Sequence, residues 1–142
     1  MSDKTALGQI VEWNESRGLI KSPAEFSLET DMSFITEELL EASTGLNSEQ
    51  AREKAKALAI LIADKNYTPS SEQMVDAFCD IVVFAVGSIR KLGYNPDIAM
   101  SEVQREIDSR VGEIKDGKFT KDKSPEAQAN WYSANFDNAK IN

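Results

Sequence analysis

The segment Gln73–Val86, QMVDAFCDIVVFAV, is apolar from Met74 onward except for Asp76 and Asp80. A bilayer span needs roughly 20 apolar residues, and this run is shorter and interrupted by charge. It therefore reads as the core helix of a globular domain. Met74, Phe78, Ile81, Val82, Phe84 and Val86 cover nearly the whole circumference, which predicts a helix at the centre of a bundle rather than on its rim. Asp76 and Asp80 are four residues apart and fall on one face of that helix. Two ionised acids buried there demand a facing cation, or pKa values raised until both are neutral. The helix has no lysine or arginine before Arg90, so the partner comes from elsewhere in the fold or from an ion.

The flanking punctuation predicts helices almost throughout. Thr5–Arg17 carries Leu7, Ile10 and Val11 at helical spacing, with Gly18 as a C-terminal cap. After Pro23 a second helix spans about Ser27–Ser43, with Met32, Ile35 and Leu39 on one face and Gly45 at its end. Asn47 and Gln50 have capping-box spacing for a third, with Ala51, Ala55, Leu58 and Ile62 on its apolar side. Ser70 and Gln73 have the same spacing at the start of the long apolar helix, which stops before Gly93. Asn95 then caps a fifth helix that begins on Pro96, runs through Ile98, Val103 and Ile107, and ends near Gly112. No segment alternates in the manner of a strand, so the expected fold is an all-α bundle of about five helices. Residues 1–112 form its core. Residues 113–142 are a Lys-rich extension anchored by Trp131, Tyr132 and Phe136, packing on the core or on a partner subunit. At 142 residues the chain reads as one domain. Its apolar surface exceeds what five helices cover, which predicts a homodimer or homotetramer.

Composition narrows the chemistry. There is no histidine, which excludes Ser-His-Asp and Cys-His catalysis and imidazole acid-base work. Cys79 is the sole cysteine, so an internal disulfide and a thiolate zinc site are excluded, and its apolar setting predicts a small buried hydrophobe. A formal charge of −8 argues against binding a nucleic-acid polymer. With no membrane span and no secretory pattern in MSDKTALGQ, the expected address is cytoplasmic. Chemistry near neutral pH thus falls to carboxylates or to a metal-bound water.

The second helix supplies carboxylates in TEELLEA. At about 100° per residue, Glu37, Glu38 and Glu41 lie within an arc of about 100°. Three glutamates facing Asp76 and Asp80 require a multivalent cation between them, and an all-oxygen donor set suits Mg²⁺ or Mn²⁺ over zinc or copper. Two plainer readings stand beside this one. The glutamates can form a solvated face, and the aspartates can pair with lysines of the third helix such as Lys54 or Lys56.

At these residues the chain resembles the all-α nucleotide pyrophosphohydrolases, the superfamily of MazG-like enzymes, dimeric dUTPases and phosphoribosyl-ATP pyrophosphohydrolases. Glu37-Glu38-Leu39-Leu40-Glu41 matches the family's Glu-Glu-x-x-Glu motif. In the second motif, commonly Glu-x-x-Asp, AFCD puts Ala77 in the glutamate position, and Asp76 with Asp80 is similar to the Asp-Ala-x-x-Asp form of MazG-like relatives. LGQIVEWNESRGL resembles the family's first helix, and LGYNPDIAMSEVQRE its last turn and helix, so the likeness spans roughly residues 7–136. REIDSR retains Arg105, Ser109 and Arg110, with Ile107 where relatives often have asparagine.

The resemblance implies a MazG-like four-helix core and hydrolysis of a nucleoside triphosphate to the monophosphate and pyrophosphate, in the service of nucleotide-pool cleaning. It implies metal held by Glu37, Glu38, Glu41 and Asp80, with Asp76 beside them, and Glu38 as the proton acceptor. Substrate contacts fall to Trp13 and Asn14 at the base and to Arg110, Lys118 and Lys121 at the phosphates. Two alternatives remain: a non-catalytic metal-binding helical module, which the glutamate missing at Ala77 supports, and a phosphoribosyl-ATP pyrophosphohydrolase.

Overall fold

A computed structural model describes residues 5–20 and 26–141. The expected boundary at Pro23 and the start of MSDKTALGQ, residues 1–4, lie outside the described residues. The fold is all-α in class: among the described residues, helices are joined by only one two-stranded hairpin. No described helix is long and apolar enough to cross a membrane. The chain divides into two compact units, Ser22–Ser71 and Met1–Lys21 with Glu72–Asn142.

The first unit is the pair α2 (Leu28–Thr44) and α3 (Ser48–Ile62). Ser27 caps α2 by accepting the Thr30 N–H, and Asn47 and Gln50 form the expected capping box on α3. Ala51, Ala55 and Ala59 recur every four residues on α3 and are at most 1 % exposed. Such small side chains let a neighbouring helix approach closely. Ser33 and Glu37 are the buried residues of α2. Leu58 and Ile62, expected on the core face, stay exposed. Alanines rather than the bulkier residues make the seam.

The second unit contains α1 (Ala6–Ser16), α4 (Ser71–Lys91) and α5 (Pro96–Asp108). Thr5 caps α1, and Asn95 caps α5 by accepting from the Asp97 and Ile98 N–H groups. α1 packs on α5. The Lys-rich stretch beyond α5 contains β1 (Gly112–Lys115) and β2 (Lys118–Lys121), paired antiparallel with Ile114 opposite Phe119. Asp116 and Gly117 turn the chain at φ 52° and 74°, the left-handed pair that a two-residue hairpin loop requires. Four-residue strands are too short to show an alternation, so only the Asp-Gly dipeptide betrayed them.

The chain then forms a short helix, α6 (Pro125–Gln128), and returns to α5. The Asn95 N–H donates to the Ala139 carbonyl at 2.7 Å, and the Ile141 N–H to the Gly93 carbonyl at 2.8 Å. Glu102 of α5 accepts from the Tyr132 hydroxyl and from the Asn135 N–H. Arg105 stacks over the Tyr132 ring, 3.9 Å from its centroid. The Tyr132 hydroxyl, and then the Asn135 N–H, hold the Glu102 carboxyl below its usual range. A lowered folded-state pKa stabilises the segment above the ordinary carboxylate value, and that contribution is lost as pH falls through the depressed one. Acidification is expected to release this segment before the helices melt. Hydrogen exchange at Asn135 reads it, and protection unchanged down to acid unfolding would refute it.

α4 departs most from expectation. None of its residues is buried, and Val83 and Phe84 are 65 % and 75 % exposed. Among the described residues, no other element of its unit packs along it. Cys79, expected to be buried, is exposed as well. An amphipathic pattern records which surface seeks cover, not how completely it is met: Met74, Phe78 and Ile89 are half-buried while Val83 and Phe84 stay exposed.

Candidate functional site

The glutamates of α2 straddle the edge of its packed face. Glu37 is 2 % exposed, Glu41 is half-buried and Glu38 is exposed. Arg52, on the second turn of α3, brings a guanidinium nitrogen to 3.5 Å from Glu37 Oε1. This cation answers a carboxylate of the acidic set, a glutamate. Arg52 sits five residues after the Asn47 cap, and the four-residue spacing of the buried Ala51, Ala55 and Ala59 sets it beside the packed face of α3. Removing one partner of a buried ion pair leaves an uncompensated charge. Because Arg52 is itself 45 % exposed, Arg52→Ala is expected to cost about 1–2 kcal/mol. Urea denaturation checks this, and an unchanged midpoint refutes it.

Asp31 is a further acid on α2 that the sequence reading passed over. It stands seven residues before Glu38 and so on the same stripe of the helix. Partial burial raises its pKa.

Asp76 and Asp80 stand together on α4 as their spacing requires, but both are exposed. Water solvates them there. The need for a facing cation rested on their burial and therefore lapses. The donor set Glu37, Glu38, Glu41, Asp76 and Asp80 has the oxygen chemistry of a Mg²⁺ or Mn²⁺ site. Among the described residues, however, no three His, Cys, Asp or Glu side chains converge as a metal-holding group. Glu37, Glu38 and Glu41 belong to one unit and Asp76 and Asp80 to the other; the chemistry of these donors fits a divalent ion, and no step of a reaction is drawn through a metal.

The residues expected to contact substrate lie in the unit built on α1 and α5. Trp13 meets Phe119 of β2 edge-on with 5.5 Å between centroids, and the Arg17 guanidinium stacks 4.5 Å from the centre of the indole. One face of the ring proposed to stack on a base is thus covered by a cation. Asn14 donates its amide to the Ile10 carbonyl at 2.8 Å, a bond within its own helix. Arg110 is 8 % exposed, pairs with Glu106 at 2.8 Å and stacks on Trp131 with 4.1 Å to the ring centre. Its charge is already compensated.

Two open cavities flank these groups. One, of about 340 Å³, lies between α1 and α5 and is lined by Trp13, Arg17, Gln104 and Asp108 among others. Trp13 Nε1 and Gln104 Oε1 are buried and have no hydrogen-bond partner. The other, of about 570 Å³, follows the hairpin past Lys115, Lys121 and Lys123. Lys121 lines it, whereas Lys118 on the same strand does not. Trp13 and Lys121 therefore stand at separate cavities.

Comparison with protein-family models, curated proteins and solved structures returned no match to this chain.

Proposed function

We propose that this chain is a metal-dependent nucleoside triphosphate pyrophosphohydrolase acting in nucleotide-pool cleaning. The observation that carries the reading is the run Glu37-Glu38-Leu39-Leu40-Glu41 on α2, a five-residue match to the acidic helix of the all-α nucleotide pyrophosphohydrolases in a chain that is itself all-α. The absence of histidine supports it, because proton transfer near neutral pH then falls to a carboxylate. In this reading water attacks the α-phosphorus, Glu38 accepts its proton, the bond from that phosphorus to the bridging oxygen breaks, and pyrophosphate departs. Mg²⁺ or Mn²⁺ is the proposed cofactor, and homodimers or homotetramers the proposed assembly. Asp76 and Asp80 enter through the sequence motif alone.

A second reading, a non-catalytic helical interaction module, is favoured by one observation: Glu37 is already ion-paired to Arg52.

Pyrophosphate release from a panel of NTPs, dNTPs and phosphoribosyl-ATP, with Mg²⁺ or Mn²⁺ and then with chelator, separates the readings. Release from nucleoside triphosphates that stops on chelation supports the hydrolase. Release confined to phosphoribosyl-ATP moves the assignment to that substrate. No release from folded protein with any of them favours the module.

A further inference from the structure

We propose that the cavity between α1 and α5 binds a guanine base, read through the indole N–H of Trp13, the amide carbonyl of Gln104 and the carboxylate of Asp108. The choice of a nucleobase rests on the pyrophosphohydrolase reading. The choice of guanine rests on the donors and acceptors that line the cavity.

Both helices belong to one unit and pack on each other, and every lining residue comes from them. The volume of about 340 Å³ lies within the range of small-molecule sites, about 300–1,000 Å³. Among the described residues, the buried Trp13 Nε1 and Gln104 Oε1, which belong to two of the lining side chains, have no hydrogen-bond partner. One is a donor on α1 and the other an acceptor on α5. Buried polar groups are almost always paired, so two orphans at one cavity mark a place where a ligand completes the bonding.

Neighbouring contacts fix how each group is presented. Gln104 donates its Nε2–H to Asp108 Oδ1 at 3.1 Å, which leaves Oε1 as the end of the amide that accepts. The Arg17 guanidinium lies 4.5 Å from the centre of the Trp13 ring and covers that face, so a ligand meets the indole at its N–H edge rather than by stacking there. Among the charged lining residues, Glu12 and Asp108 outnumber Arg17, a negative surplus that repels phosphate. The cavity therefore suits the uncharged end of a nucleotide.

The three groups offer one donor, Trp13 Nε1, and two acceptors, Gln104 Oε1 and the Asp108 carboxylate. The complementary edge carries one acceptor and two donors. Guanine has that edge, with its carbonyl beside a ring N–H and an exocyclic amine. Adenine and cytosine set a single amine beside ring acceptors, and uracil and thymine hold one N–H between two carbonyls. Each of these leaves a lining group unpaired.

The test is binding of nucleosides to the full chain, followed by the resonance of the Trp13 indole N–H, with guanosine, inosine, adenosine, cytidine and uridine as probes. Guanosine is expected to bind at least about tenfold more tightly than the other four and to shift that resonance. Inosine keeps the carbonyl and ring N–H of guanosine and lacks the amine, so the difference between the two reads the Asp108 contact. Asp108→Ala, at an exposed position, is expected to erase that difference. Trp13→Phe keeps a ring under Arg17, has no N–H, and should weaken guanosine by a similar factor; should it fail to fold, Asp108→Ala decides. Equal binding of the five nucleosides, binding of none, or a guanosine preference that survives Asp108→Ala would overturn the proposal. Nucleosides carry no phosphate to release, so the two readings fail separately. Nucleotide turnover by a chain that binds no guanosine would refute the base assignment alone, and guanosine binding without turnover of any nucleotide would refute the hydrolase alone.

Discussion

Glu38→Gln is expected to lower pyrophosphate release by at least about 100-fold, the smaller end of what a positioned general base contributes. The change keeps the shape of the side chain and removes only its ability to take a proton. Glu38 is exposed on α2, so its replacement should leave the α2–α3 pair folded. Glu37→Gln is the instructive contrast: Glu37 is buried against Arg52, and its loss should register in denaturation as well as in rate. The measurement is kcat and KM for the best nucleotide of the panel. A fall in kcat with KM little changed is the signature of a lost transition-state interaction. Turnover by Glu38→Gln at the rate of the parent would remove Glu38 from the chemistry.

Gly112→Ala is expected to break the β1–β2 hairpin. A Cβ at this position would stand 2.0 Å from the Thr120 carbonyl oxygen and 3.0 Å from the Lys121 Cα. Those atoms are backbone and cannot swing aside as a side chain would. Either the strands part or the register slips, at a cost of about 2 kcal/mol or more. The loss reaches α1 because Phe119 of β2 packs edge-on against Trp13. In a Trp131→Phe background, Trp13 emission should shift to the red and the Asp122 N–H, bonded to the Val111 carbonyl at 2.7 Å, should exchange faster. Parent-like emission and stability would show that the chain accommodates the methyl and would sink the prediction.

The ends of the helices were legible because capping is a local matter. Thr5, Ser27, Asn47 and Asn95 each satisfy an N–H group within three residues, and no distant contact is needed to place them. The hairpin was passed over because its only local mark is Asp116-Gly117, set among lysines that suggested a solvated tail. Of the acids, the pattern determined which stand on a common helix: Glu37, Glu38 and Glu41 on α2, Asp76 and Asp80 on α4. It could not determine their environment. Burial depends on what packs over a face, and that is settled by residues far away in sequence, such as Arg52 above Glu37.

By itself, then, the sequence determined an all-α class, the helix caps and an acidic chemistry without histidine. Tertiary structure alone decided that Glu37 is buried against a cation, that Asp76 and Asp80 meet water, and that no residue of the most apolar helix is fully buried. Hydrophobic periodicity states a demand for cover; which partner meets it follows from packing between segments, a non-local quantity that no spacing along the chain encodes.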